Sequence, residues 1–486
     1  MNHPIFRIPP APDLPPGTHA LINKPVITED DRGWRYAWEV LLQVPGEDSL
    51  TLGGAWFRSN RPIRPLSGAA NAALVGSILP LMMTGVPVHV EGGVSPRLHR
   101  NLGLFQAAFA SWYPGLKQVA IEAMTPDQNL PNPPADPEPP REGVLFSLGV
   151  DSWFSVLQHR DTVQDLVFID GFDLTSEQSF ARQDVRQAAQ EAARAVGRPL
   201  VVLETNLRDW LDRWIDWLVP HGSLLGAAVL LLEGHLSKVW FPSNVRAWEP
   251  VPSGSNPFTD PLYSTEHLRS VYDGGGTHRV GKIARLLEDE VAMKNLRACW
   301  SGTRGRLNCG ECPKCVRTMA TLHLLGALER AEWFQCELHP DMIRKLPMTL
   351  GLKDEGKGML RIAKALGLEQ DPIALAVSER FRRNEVEQLM TPDTGALTTM
   401  TDPESWAAMA RLDRQGLAEN FMTHAPGRVN EVLAPAVDRV PREVFRLMWQ
   451  KDRGWLKRKV RKLTGRSKTL LAFRRREHAR RTAAAP

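Results

Sequence analysis

The stretch Gly143-Val-Leu-Phe-Ser-Leu-Gly-Val-Asp-Ser-Trp-Phe-Ser155 decides how this chain is read. Val144, Leu145 and Phe146 are a short apolar run and predict a buried parallel strand. The run ends in Ser147, Leu148, Gly149, Val150, Asp151 and Ser152, and Trp153, Phe154, Val156 and Leu157 then predict an apolar helix. Strand, tight loop and helix in that order aim backbone N–H groups and the positive helix end at an anion. Gly149 lets the backbone approach a phosphate closely, and the Ser147 and Ser152 hydroxyls can donate to its oxygens. Asp151 would repel a bare phosphate, so it is a candidate partner for a magnesium ion bridging the phosphates. The bland alternative is an ordinary strand–turn–helix with polar turn residues.

Downstream, 166–173 predicts a second apolar strand ending in Asp170, Gly171 and Asp173. An amphipathic helix at 183–196, a strand at 200–204, a Leu- and Ala-rich helix at 223–236 and a strand at 238–242 come next. Alternation of this length predicts an α/β fold with a doubly wound parallel sheet. Ligands of such sheets sit at the carboxyl ends of the strands, where the strand order switches. The loop at Ser147 falls at a strand end, as do Asp170, Asp173, Ser243 and Asn244. Two polar loops carry further candidates: Ser255, Asp260 and Glu266 in 252–266, and Asp273, His278 and Arg279 in 272–279.

Upstream, residues 1–124 predict a small α/β domain, with strands at 37–44, 51–57, 88–91 and 119–122 and helices at 69–83 and 96–112, and without a chemical motif. Pro126, Pro131, Pro133, Pro134, Pro137, Pro139 and Pro140 make 125–142 an extended linker.

The 486 residues leave room for two or three domains, and 43% hydrophobic with 24% charged residues is a globular composition. No secretory signal is read at the amino end, and 69–83 is too short to span a bilayer. A soluble, cytoplasmic protein is the expectation. The net charge of +5 is uneven: residues 451–486 carry 14 Lys and Arg against Asp452 and Glu477, which leaves −7 on the first 450.

Cys299, Cys309, Cys312 and Cys315 are spaced C-x9-C-x2-C-x2-C. Four thiolates at short spacing match tetrahedral zinc, with Gly310 and Pro313 suited to the knuckle turns. An iron–sulfur cluster also takes four cysteines. Cys336 stands apart and reads as a buried, apolar-like residue. A four-cysteine site has no open position for water, so its role would be to pin a loop and let Lys314 and Arg317 face the active site.

The loop resembles the Ser-Gly-Gly-x-Asp-Ser loop of the ATP pyrophosphatase (PP-loop) superfamily, with Leu148 in the place of the first glycine. Loop and cysteine cluster together, over about 143–325, resemble the 7-cyano-7-deazaguanine synthases and their relatives. The first cysteine gap is slightly longer than in that family, and the amino-terminal domain and tail lie outside it, which suggests a paralogue with another substrate. The resemblance implies an adenine nucleotide alpha hydrolase-like domain at 143–340 with a zinc-knuckle loop, using ATP, magnesium and zinc. It implies catalytic roles for Asp151, Ser147 and Ser152. Nucleotide binding would fall to Ser147, Gly149, Val150, Asp151, Ser152, Asp170 and Gly171, and zinc to the four cysteines. The implied chemistry is AMP-forming: a carboxylate or carbonyl oxygen is adenylated, and a nitrogen nucleophile displaces AMP.

Residues 341–450 predict helices, including 358–366 and 372–388, with Asp371 capping the latter. The basic tail at 451–486 could bind RNA or an anionic surface, or be a solvated end. Two other functions are weighed: a tRNA-thiolating relative, and a non-catalytic nucleotide-binding protein with a degenerate loop. Oligomeric state is left open, a homodimer among the options.

Overall fold

The computed structural model describes residues 14–123, 141–243, 247, 252–299 and 305–390. Most of the proline-rich segment, Asn244, the region beyond 390 and the basic tail lie outside the described residues.

One mixed sheet of eleven strands organises the chain. In sequence order these are β1 (His19–Ile22), β2 (Val26–Asp30), β3 (Gly33–Gln43), β4 (Leu50–Ser59), β5 (Val88–Val90) and β6 (Ile121–Ala123), then β7 (Glu142–Leu145), β8 (Val163–Asp170), β9 (Leu200–Thr205), β10 (Lys238–Pro242) and β11 (Arg269–Asp273). The spatial order is β11-β10-β7-β8-β9-β4-β3-β1-β5-β6, with β2 paired to the first residues of β3 on the edge that β1 also uses. From β7 to β11 all pairs are parallel, and their order is that of a doubly wound sheet whose winding reverses between β7 and β10.

Burial on both faces explains the apolar composition of these strands. Val144, Leu166, Phe168 and Val202 enter one core, while Leu145, Val167, Val201 and Leu203 enter the other. That alternation is the period of two expected of a pleated strand. The helices Val150–Gln158, Ser179–Val196 and Pro313–Leu324 cover the first face; His221–Leu230 and Asn71–Thr84 cover the second.

The amino-terminal strands continue the same sheet across the position read as a domain boundary. β4 pairs antiparallel with β9, with Phe57 opposite Thr205 and Ser59 opposite Leu203. Side chains lock that seam: Asn206 Oδ1 accepts the Trp56 N–H at 2.8 Å, and Thr205 Oγ1 donates to the Trp56 carbonyl at 2.6 Å. Buried Glu233 accepts the Leu66 and Ser67 N–H groups at 2.8 and 3.0 Å. Residues 14–123 therefore share sheet and core with the parallel strands β7 to β11 and their helices. The seam is antiparallel pairing between distant segments, which local patterning does not announce.

Several expected elements differ at their ends. The Leu- and Ala-rich helix starts at His221 rather than 223 and ends at Leu230. The polar segment at 272–279 is a strand end, a short turn and the start of the helix Arg279–Leu286. Of the carboxyl-terminal helices, Pro372–Met390 starts where it was read, while the one read at 358–366 starts eight residues earlier and spans Leu350–Ala365.

Candidate functional site

The loop between β7 and the helix Val150–Gln158 sits at the reversal of the sheet. Leu148 has φ 65°, the left-handed region, and is the one non-glycine residue there among the described residues. It takes the conformation that a glycine would take without strain. Its side chain is fully buried, and its carbonyl accepts the Arg297 N–H at 2.9 Å. Gly149, extended at φ −77°, caps the helix without a side chain, so no side chain blocks the first-turn N–H groups from the cleft. Ser152 Oγ donates to the Gly149 carbonyl at 2.9 Å and accepts the Ser147 N–H at 3.3 Å, which tightens the loop on itself.

A cleft of about 220 Å3 opens above this loop. Ser147, Gly149, Val150, Asp151, Ser152, Asp170 and Gly171 all line it, so every sequence-read nucleotide position faces one space. Arg279, Arg297 and Lys314 line it too. Asp151 is held by two cations: Arg279 Nη1 is 2.5 Å from Oδ2, and Lys282 Nζ is 3.0 Å from Oδ1. Lys282, almost fully buried, also donates to the Ser243 carbonyl and hydroxyl at 2.7 and 2.9 Å. Burial pushes the Asp151 carboxyl up, and the Lys282 and Arg279 charges override it, so its pKa lies below the ordinary value. Burial beside Arg279 lowers the Lys314 ammonium to about 7, against the pull of Asp173.

This arrangement does not suit magnesium at Asp151. Both carboxylate oxygens already meet a cation, and a divalent ion there would face Arg279 and Lys282 at close range. The loop expectation is corrected on this point: Asp151 orients Arg279, which lines the cleft, while Lys282 lies behind it with its ammonium engaged by Asp151 and Ser243.

The neighbouring strand ends divide their roles. Asp170 is clamped by Arg182 at 2.7 Å and Arg186 at 3.6 Å. Gly171, at φ 119°, lies where a Cβ would stand 2.2 Å from the Thr205 carbonyl oxygen, so no other residue fits. Asp173 pairs with Arg297 at 2.9 Å. Of the polar-loop candidates, Ser255 and Arg279 line the cleft. Glu266 instead accepts from Ser95 Oγ at 2.6 Å and the Arg97 N–H at 2.9 Å, securing the start of the helix Pro96–Trp112. Asp273 binds the Ser155 hydroxyl and His159, and His278 lies 3.3 Å from Asp354, so neither is a cleft residue. Asp260 is wholly buried against Ser255.

Cys299, Cys309, Cys312 and Cys315 gather with all four Sγ atoms within 4.8 Å of one another. Two Sγ pairs, Cys299–Cys312 and Cys309–Cys315, lie at 3.9 Å. Four sulfurs around one zinc at ~2.3 Å stand about 3.8 Å apart, so the thiols are spaced for a tetrahedral ion rather than for disulfides. The knuckle supports them: the Cys312 N–H points at Cys309 Sγ (3.3 Å), and the Cys315 N–H at Cys312 Sγ (3.5 Å). Gly310 turns at φ 79°, where a Cβ would collide with Cys336 Sγ. Cys336 is half-buried, not a core residue, because its thiol rests on the Cys309 carbonyl at 3.5 Å at the edge of the knuckle.

The knuckle and the loop form one construction. Cys299 lines the cleft two residues after Arg297, whose N–H holds the Leu148 carbonyl, and Asn308 binds the Ala298 N–H at 2.7 Å. Lys314 reaches the cleft as expected. Arg317 does not line it; it lies 3.5 Å from Glu355 on the helix Leu350–Ala365. Sequence reading missed Lys282, Glu355 and Arg297. Lys282 had a signal, lying one helical turn after Arg279 on the same face; the other two had none. No protein-family model and no curated protein matches this chain.

Proposed function

We propose that the chain is an ATP-dependent, AMP-forming enzyme that activates a carboxylate or carbonyl oxygen for attack by a nitrogen nucleophile. The observation that carries this reading is the Leu148–Arg297 bond: it joins a phosphate-type loop and a four-cysteine knuckle at the reversal of a doubly wound sheet. The substrate oxygen attacks the α-phosphorus of ATP, the bond to the β-phosphate oxygen breaks, and pyrophosphate leaves. The nitrogen nucleophile then attacks the activated carbon, and AMP departs with the substrate oxygen.

The chain's own groups serve the first step electrostatically. The first-turn N–H groups of Val150–Gln158 and the Ser147 and Ser152 hydroxyls donate to phosphate oxygens. Arg279 and Lys314 balance the charge that grows on departing pyrophosphate, and Asp151, held on its other oxygen by Lys282, orients Arg279. A zinc ion held by the four cysteines would fix the knuckle. With four thiolates filling its shell it would leave no position for water. Sulfur transfer would need a cysteine free of the zinc, and Cys336, the one left over, does not line the cleft.

The test is nucleotide product analysis of the purified protein with magnesium-ATP, ammonium and a small-molecule cell extract, beside Lys282→Ala. AMP and pyrophosphate from the unaltered protein alone are expected. ADP and phosphate, or no nucleotide turnover, would overturn the proposal.

A further inference from the structure

Arg279 is held at two places, and only one of them lies in the loop. Asp151 Oδ2 meets its Nη1 at 2.5 Å, and Glu355 Oε1 meets its Nε at 3.4 Å. A guanidinium carries its N–H groups in one fixed plane, on Nε and on both Nη atoms. With Nε and Nη1 facing carboxylates, Nη2 is left for an anion in the cleft that Arg279 lines. The Arg279 side chain keeps 20% of its surface exposed, so such an anion can reach it. Burial works against the charge on Arg279, and the Asp151 and Glu355 carboxylates override it, so its pKa lies above the ordinary value.

Glu355 reaches Arg279 from outside the loop and the knuckle. It stands on the helix Leu350–Ala365, whose start is capped by Thr349 Oγ1 accepting the Leu352 N–H at 3.1 Å. About one turn further on, a Cβ at Gly358 would stand 2.8 Å from Val280, so the helix presses onto Arg279–Leu286 at a residue without a side chain. Asp354 lies 3.3 Å from His278, so consecutive carboxylates of one helix meet consecutive residues at the start of the other. Glu355 itself is buried and does not line the cleft. A buried carboxylate depends on the cations beside it, here Arg279 and Arg317. Any part that Glu355 plays in the cleft is therefore played through Arg279.

We infer that Glu355 is a positioning residue of the phosphate site, holding the Arg279 guanidinium by Nε so that Nη2 is presented to the cleft. The helix Leu350–Ala365 then belongs to the site and is not an appendage to it. This rests on the proposed function only in taking the cleft to receive the phosphates of ATP.

The test is calorimetric titration of the full chain with inorganic pyrophosphate at pH 7.5, beside Glu355→Gln and Asp354→Asn. Each variant removes one negative charge from the same helix turn, and Coulomb attraction alone would make both bind pyrophosphate more tightly. A guanidinium that has lost its orientation binds less tightly. Glu355→Gln should therefore weaken pyrophosphate about tenfold, while Asp354→Asn stays within about twofold of the unaltered protein. Unchanged or tighter binding by Glu355→Gln, an equal loss in both variants, or no binding by the unaltered protein would overturn the inference. Should Glu355→Gln not fold, hydrogen exchange in the unaltered protein decides. Coupling is reciprocal, so pyrophosphate should slow the amides of Leu350–Ala365, and unchanged exchange there would overturn the inference. Pyrophosphate binding that depends on Glu355 without AMP formation would sink the adenylating reading alone. AMP formation with pyrophosphate binding indifferent to Glu355 would sink the positioning role alone.

Discussion

The Leu148 carbonyl accepts the Arg297 N–H at 2.9 Å, with Leu148 at φ 65° and its side chain wholly buried. A β-carbon in the left-handed region destabilises by roughly 1–2 kcal/mol. Burying a leucine side chain contributes about 1.5–3 kcal/mol, and the backbone bond adds about 1. The loop can thus keep a glycine-type turn without glycine, because its side chain belongs to the core beneath the sheet.

That balance makes an unusual ranking. Leu148→Ala removes the buried side chain and keeps the strain, so it should lose about 2–5 kcal/mol. Leu148→Gly removes both and should lose about 1–3 kcal/mol. Urea midpoints should therefore place Gly between the unaltered protein and Ala. An Ala variant as stable as the Gly variant would show that the loop is not strained at this position.

The four-cysteine knuckle should hold one zinc per chain, measurable by elemental analysis of protein purified without added metal. Cys312→Ser should abolish that content and lower the melting temperature, because metal binding and folding of such a knuckle are coupled. The effect should extend beyond the knuckle: with Cys299 released, Arg297 no longer sits firmly on Leu148, and amide exchange at the 147–152 loop should quicken. Full zinc content in Cys312→Ser would remove this ligand assignment.

The parallel half of the sheet was legible because its strands are apolar runs and its helices have clear periods. β9 and β10 fall where the patterns put them, β8 begins and ends three residues earlier than read, and the seven sequence-read positions converge on one cleft. What was not legible depends on contacts between distant segments. β1 and β2 are short and half-exposed, and β4 joins β9 across some 150 residues, a pairing with no local signature. Asp151 read as a metal partner because the sequence shows the carboxylate and not Arg279 and Lys282, which arrive from a helix more than 120 positions away.

Glu355 ties the carboxyl-terminal helix to the cleft. Its Oε1 lies 3.4 Å from Arg279 Nε and its Oε2 3.5 Å from Arg317 Nε, in a buried setting. Removing this charge leaves Arg279 and Arg317 facing each other without a shared anion. Glu355→Gln should lower stability by about 1–3 kcal/mol. Arg317→Ala should then cost less in the Glu355→Gln background than alone, with a coupling of about 0.5–3 kcal/mol. Strict additivity in that double-mutant cycle would mean the three charges do not act as a unit.

Asp260 supplies a pH dependence opposite in sign to that of Asp151. Complete burial drives its carboxyl up to about 7, against the hydrogen bonds of Ser255 and Asn256. An unfolded chain ionises the same group near 3.9, so between pH ~4 and ~7 the folded state binds more protons than the unfolded state. Stability contributed by protonated Asp260 is therefore full below the unfolded pKa and lost as pH rises towards 7, by at most about 1.4 kcal/mol per unit. Asp151, with its depressed value, contributes above the unfolded pKa and loses that contribution on acidification. Asp260→Asn keeps the shape, removes the titration and should flatten the fall in urea midpoint between pH 4.5 and 7 relative to the unaltered protein. Parallel profiles for the two proteins would show that Asp260 is ionised in the folded state, and the Ser255 side of the cleft would then carry a buried negative charge.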